Sequence, residues 1–239
     1  MLGEMKLTVR SDEISPNIYA RAAGSLYLII IVFGIFSEVF IRSILIVPGD
    51  ATATVTNILA SEWLFRTGFA SDAIMLLSDV AIAVLFYVLL KPVSKTLALM
   101  AAVFRLTQAA ILGLNLLNYY AAMLLLSGVG YSTAFESDQL YALVMLFLDM
   151  HSHGYDLGLL FFGFSSLILG YLVVKSDDYP GVLGYGLIAA SIVYLAGSLT
   201  RFLFPDYVSL ITPIYIVPLI AELSFCLWLL VRGVKVLPR

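Results

Sequence analysis

Cysteine is nearly missing from this chain: its one copy, Cys226, excludes an intrachain disulfide and any metal site built from several thiolates. Histidine is almost as scarce, and two copies, His151 and His153, are too few for a three-histidine zinc site or the paired ligation of a multi-haem bundle. Charged residues make up 12% of the chain, and the net charge of -3 comes from 16 acids and 13 bases with no basic block. Nucleic acid therefore lacks its electrostatic footprint. No apolar stretch carries a central lysine that could bear a retinal Schiff base, and no phosphate-binding loop or serine-nucleophile elbow is present. What the sequence has instead is apolar length. A hydrophobic fraction of 62% and a mean hydropathy of +1.02 over 239 residues lie far outside a soluble domain's composition and define an integral membrane protein.

Apolar runs between turn and charge signals predict an all-α, polytopic transmembrane helix bundle of six spans. They lie near residues 22–46, 68–90, 96–126, 154–174, 182–203 and 211–231, within one transmembrane domain over 21–235 that follows an N-terminal segment, 1–20. The first run is too long for a signal-peptide core, so it is expected to stay as a span, although Ala51 and Ala53 resemble a processing site. Pro48-Gly49-Asp50 ends it, and Asp50 is placed to cap a short interfacial helix through Ala60, expected to form a turn or two. A helix over 138–150 precedes the fourth span, either as a separate interfacial element or, the favoured reading, as part of one long helix.

Every connection is short enough for the positive-inside rule to apply. With six spans the termini share a side carrying Lys6, Arg10, Arg21, Lys91, Lys95, Lys175, Arg232, Lys235 and Arg239, against Arg42, Arg66 and Arg201 opposite. Both termini are predicted to be cytoplasmic.

Charge at membrane depth is tolerated where it faces a bundle interior, pairs, or lines a wet cavity, and helical spacing shows which residues share a face. Glu38 and Arg42 are spaced as a helical ion pair, read as an interfacial pair at the rim. Asp72 and Asp79 are seven apart, with Asp72 expected near the surface and Asp79 near the midplane. Arg105, Gln108, Leu112, Asn115 and Tyr119 follow a three-four-three-four spacing that turns one face of the third span inward. Arg105, roughly 14 Å into its span, needs an anionic partner, and Glu222 is the candidate. Pro218 is expected to kink the sixth span just before Glu222, whose stripe includes Tyr215 and Cys226. Ser191, Tyr194, Ser198 and Arg201 stripe the fifth span, with Arg201 expected to snorkel outward.

The junction from Asp149 to Asp156 gathers both histidines with two carboxylates. Asp149, His153 and Asp156 share a face and are the candidate metal ligands; His151 faces another way, beside the small pair Gly154 and Gly158, and is expected to be buried against a neighbouring helix.

The segments Tyr19 to Leu28, Val47 to Ala51, Leu90 to Val93, Phe104 to Leu106, the block around His151, Gly154, Tyr155, Phe162-Gly163 and Leu169 to Leu172, and the ending from Glu222 to Gly233 resemble a bacterial family of multi-pass membrane proteins known as a domain of unknown function. The resemblance covers roughly residues 17 to 235. It implies the span count and a place in the bacterial inner membrane, and carries over no catalytic set or cofactor.

The leading functional expectation is a polar intramembrane pocket, open mainly to the outer side, that binds or moves a small ligand or ion through Asp79, Arg105, Gln108, Asn115, Tyr119 and Glu222, with Glu38, Arg42, His151 and Arg201 as further interior polar residues. The alternatives are a membrane-embedded metal-dependent hydrolase built on the junction triad, and a non-catalytic subunit or assembly factor. The bilayer is the partner common to all three, and a homo-oligomer is compatible with each.

Overall fold

The computed structural model describes residues 15–128, 130 and 132–234. Among the described residues six helices are long and apolar enough to cross a membrane: α1 (Pro16–Leu45), α3 (Glu62–Leu90), α4 (Lys95–Leu126), α5 (Ser137–Lys175), α6 (Gly181–Leu203), and a last span over Pro205–Val231 whose regular part is α7 (Ile216–Val231). A shorter helix, α2 (Ala51–Ala60), follows α1. The terminal segments at 1–14 and 235–239, with Lys6, Arg10, Lys235 and Arg239 of the charge tally, lie outside the described residues.

The principal contacts run α1 to α3, α3 to α4, α4 to α5, α5 to α6, α6 to α7, and α7 back to α1. The spans thus form a closed ring in chain order, each antiparallel to its neighbours, which is what short connections allow. A ring has an inside, and the buried polar residues collect there. Small residues set the approach distances. A Cβ on Gly170 would come within 2.7 Å of the Gly184 carbonyl oxygen, and one on Gly24 within 2.8 Å of Leu230. A Cβ on Gly154 or Gly158 would run into the side chain of Asn115 or Leu112, so these glycines let α4 and α5 approach closely there. The outer surface of the ring is apolar, with Leu77, Leu114 and Val182 among its most exposed side chains, as contact with acyl chains requires.

Local structure departs from the sequence reading in three places. α1 contains a π-helical stretch, Phe36–Arg42, before its last turn. α2 is a full helix rather than a turn or two: Asp50 caps it by accepting from the Ala53 amide at 2.8 Å, and Val55 and Ile58 pack into an apolar cluster with Ile41, Leu45, Val144 and Leu148. No departure occurs before the fourth span, where of the two alternatives the favoured continuous helix forms, 39 residues long and beginning with a capping box between Glu136 and Gln139. Pro218 does not kink a regular helix. It lies in the first turn of α7, where its missing N–H costs nothing, and the chain irregularity falls earlier, in the 3-10 turns Pro205–Tyr207 and Thr212–Tyr215.

Candidate functional site

Asp79, Arg105 and Glu222 converge inside the ring, each about 14–17 Å along its helix from the end on the side of the termini. The partner of Arg105 is Asp79 rather than the expected Glu222. Arg105 Nε donates to Asp79 Oδ1 at 2.9 Å, and its Nη2 lies 2.6 Å from the same oxygen. Gln108 Nε2 donates to the other carboxylate oxygen at 3.3 Å. The reason is the ring order: α3 adjoins α4, whereas α7 stands across the interior. The guanidinium is 1% exposed and is enclosed by the rings of Phe162, Tyr27 and Phe86 at 4.9, 5.6 and 5.7 Å, which supply cation–π attraction where water is excluded.

Glu222 is buried and has no ion-pair partner among the described residues; its Oε1 accepts a hydrogen bond from the Tyr194 hydroxyl at 2.8 Å. A carboxylate offers about four acceptor positions, so most of its capacity is unused. It faces a cavity of about 180 Å³ whose polar lining is Asp79, Gln108, Tyr155, Tyr194, Tyr215 and Glu222. The apolar walls include Met75, Leu159 and Phe162. On one flank the lining passes from Gly34 and Ile35 of α1 to Pro218 and Leu219 of α7, and Ile35 and Leu219 are each 38% exposed on the outside of the ring. α1 and α7 touch closely near the termini, where Cys226 Sγ donates to the Gly24 carbonyl at 3.3 Å, and the cavity occupies the stretch of seam beyond. Tyr215 lies against Gly197, a position with no side chain to displace it, and its ring meets that of Tyr194 at 5.9 Å.

Asn115 and Tyr119, expected in the same pocket, belong to a second polar cluster farther from the termini. Asn115 donates to the His151 carbonyl at 2.7 Å, and the Tyr119 hydroxyl to the Phe65 carbonyl at 2.9 Å. Arg42 is the hub of this cluster: Nε donates to Glu38 at 2.7 Å, and Nη1 donates to Ser37 Oγ at 2.8 Å and Asp72 at 2.7 Å. The pair expected at the rim is therefore a three-way arrangement with one exposed acid, Glu38, and one buried acid, Asp72. Asp72 is deeper than expected because α3 starts at Glu62, putting it about 15 Å along the helix. His151 is buried, with Nε2 3.9 Å from Asp72 Oδ2. No spacing or motif points to Ser37 or to the π-helical turn, and Tyr155 stands in the resemblance without a role.

At the junction, Asp156 and Arg201 form an ion pair at 2.8 Å, and Arg201 also donates to Ser152 Oγ at 2.6 Å, so Arg201 is tied to α5 rather than snorkelling. His153 is exposed, its Nδ1 2.8 Å from the Asp149 carbonyl. No group of three or more His, Cys, Asp or Glu side chains able to hold a metal ion occurs among the described residues, so the triad Asp149, His153 and Asp156 is not brought together as a ligand set.

Fold and site together define a multi-pass integral membrane protein, a six-span ring with an acidic, aromatic-walled cavity inside. The chain belongs to the family described as Domain of unknown function (DUF4386), whose model matches residues 22–233. It is 31% identical over 162 residues, 68% of this chain and 81% of the relative, to a protein of Archaeoglobus fulgidus described as an uncharacterized protein. No solved structure matches it.

Proposed function

We propose that this protein binds a small organic cation within the membrane, with Glu222 as its anionic anchor. One observation carries the reading: the other buried acids inside the ring, Asp72 and Asp79, are each ion-paired with an arginine, while Glu222 faces a cavity with no ion-pair partner among the described residues and the hydroxyls of Tyr194 and Tyr27 beside it. With Arg105 neutralising Asp79, one uncompensated carboxylate remains, and such a group at membrane depth is stabilised by a cation. Tyr194, Tyr215 and Phe162 supply aromatic faces, which favour an ammonium group further. The volume of about 180 Å³ matches a ligand slightly larger than benzene, for which a cavity of about 150 Å³ suffices. The seam between α1 and α7 gives such a ligand an entry from the bilayer.

Orientation belongs to the same proposal. Of the three bases assigned to the side away from the termini, Arg42 is buried with Asp72 and Arg201 is paired with Asp156, which supports placing the termini in the cytoplasm and the bundle in a bacterial inner membrane.

Benzylammonium is the probe. Titration calorimetry on protein in lipid nanodiscs should register binding, and Glu222→Gln should weaken it about tenfold or more, the scale of one charge-assisted contact. Equal binding by the wild type and Glu222→Gln would overturn the proposal, as would no binding by the wild type.

A further inference from the structure

Beside the large cavity lies a chamber of about 10 Å³, whose lining includes Asp72, Met75, Asn115, His151 and Tyr155. Two of its polar atoms, Asp72 Oδ1 and His151 Nε2, are buried and meet no hydrogen-bond partner in the protein, and both side chains are more than nine-tenths buried. The volume is about that of one water molecule, which needs two to four polar partners. His151 Nδ1 lies 3.3 Å from two groups of Asn115, the backbone carbonyl, which accepts, and the side-chain Nδ2, which donates and is already engaged with the His151 carbonyl at 2.7 Å. With the proton on Nδ1 the Asn115 carbonyl is satisfied and Nε2 presents a lone pair to the chamber, and this is the tautomer the inference takes. Asp72 Oδ2 is engaged by Arg42, which leaves Oδ1 as the acceptor towards the chamber.

The chamber and the large cavity have two lining residues in common, Met75 and Tyr155. The Tyr155 hydroxyl is 3.9 Å from Met75 Sδ, a contact weak enough to exchange for a better acceptor. On its other side Asp72 is ion-paired with Arg42, which stays protonated and so ends the path there while it also holds the exposed Glu38.

We infer that the chamber binds one water molecule, which donates to Asp72 Oδ1 and His151 Nε2 and accepts from the Tyr155 hydroxyl, and that this water joins the large cavity to the buried pair Asp72 and His151 as a proton route. The transfer makes and breaks only O–H and N–H bonds. The water gives a proton to His151 Nε2 or Asp72 Oδ1 and takes the phenolic proton of Tyr155, which is replaced from the cavity. The charged and titratable groups facing His151 are Arg42 and Glu38 from α1, Asp72 from α3 and Tyr119 from α4, with Tyr155 on its own helix. The inference extends the cation-binding reading, since a cavity with a proton route can exchange a proton for a bound cation, but the chamber stands on its own geometry.

Having only two histidines makes the test direct. In His153→Gln, one imidazole remains, and solid-state NMR of histidine-labelled protein in lipid bilayers reads its two nitrogens separately. The expected spectrum has the proton on Nδ1 and a correlation between Nε2 and water protons, with exchange markedly slower in Tyr155→Phe. A protonated Nε2 or the absence of a water correlation would overturn the site. A water correlation unchanged by Tyr155→Phe would overturn the route. No ammonium probe is present, so failure here leaves the benzylammonium result standing, and the reverse holds too.

Discussion

Replacing Asp79 with leucine removes the one acid within ion-pair distance of Arg105 and leaves a guanidinium that is 1% exposed. Losing one partner of a buried ion pair costs about 3–5 kcal/mol, because the remaining charge is left uncompensated. Three aromatic rings still enclose the cation and Glu222 still acts on it through space, which puts the expectation at the low end, about 3 kcal/mol. That is roughly a 150-fold shift in the unfolding equilibrium. Steric-trapping measurements in bicelles resolve such a change. Adding Arg105→Met to Asp79→Leu removes the stranded charge, so the double variant should return to within about 1 kcal/mol of the wild type. Glu222→Gln, which breaks no ion pair, should cost less than Asp79→Leu. An Asp79→Leu protein as stable as the wild type, or a double variant as damaged as the single, would show that Arg105 is held by something other than Asp79.

Arg42 allows a matched comparison: Glu38→Gln, at an exposed partner, should change stability by less than about 1 kcal/mol, and Asp72→Asn, at the buried one, by about 3 kcal/mol in the same assay. Gly154→Ala forces a methyl group against the Asn115 side chain and should destabilise by about 1–3 kcal/mol, with a visible change in the His151 environment by NMR. Gly184→Ala meets the Gly170 carbonyl oxygen and the backbone nitrogen of Val174, which cannot turn aside as a flexible side chain can; its loss should be at least as large, read as a lower midpoint in thermal unfolding. Asp156→Asn leaves a partly exposed Arg201 that can reach water, and should cost about 1 kcal/mol or less by steric trapping.

The spans were legible because a bilayer imposes length and apolarity on every segment that crosses it, whatever else the segment does. The stripe on α4 was legible too: Arg105, Gln108, Leu112, Asn115 and Tyr119 are all buried, as their spacing requires. Its division between two clusters was not, since periodicity reports direction around a helix and says nothing of distance along it. Arg105 and Tyr119 are about 21 Å apart in rise, too far to serve one small pocket. The choice between Asp79 and Glu222 was hidden for a related reason. Both acids lie at nearly the same depth, and only the order of helices around the ring decides which stands next to Arg105. His151 could be placed against a neighbour from Gly154 and Gly158 because small residues mark close approach, whereas the turn containing Ser37 and Arg42 carries no such mark.

That turn sets a condition on the whole first span. A π-helical stretch is an α-helix with one residue too many, and each residue of an α-helix is worth about 100° of rotation. Removing one residue between Phe36 and Arg42 would restore regular winding and swing whatever lies on one side of it through more than a quarter turn relative to the other. With Tyr27 kept in the core, Arg42 would be carried away from Asp72; with Arg42 kept, Tyr27 would leave Phe86 and Phe225. The surplus residue is what lets a single helix satisfy two interior layers that are out of phase with each other, so chain length here is as constrained as any side chain.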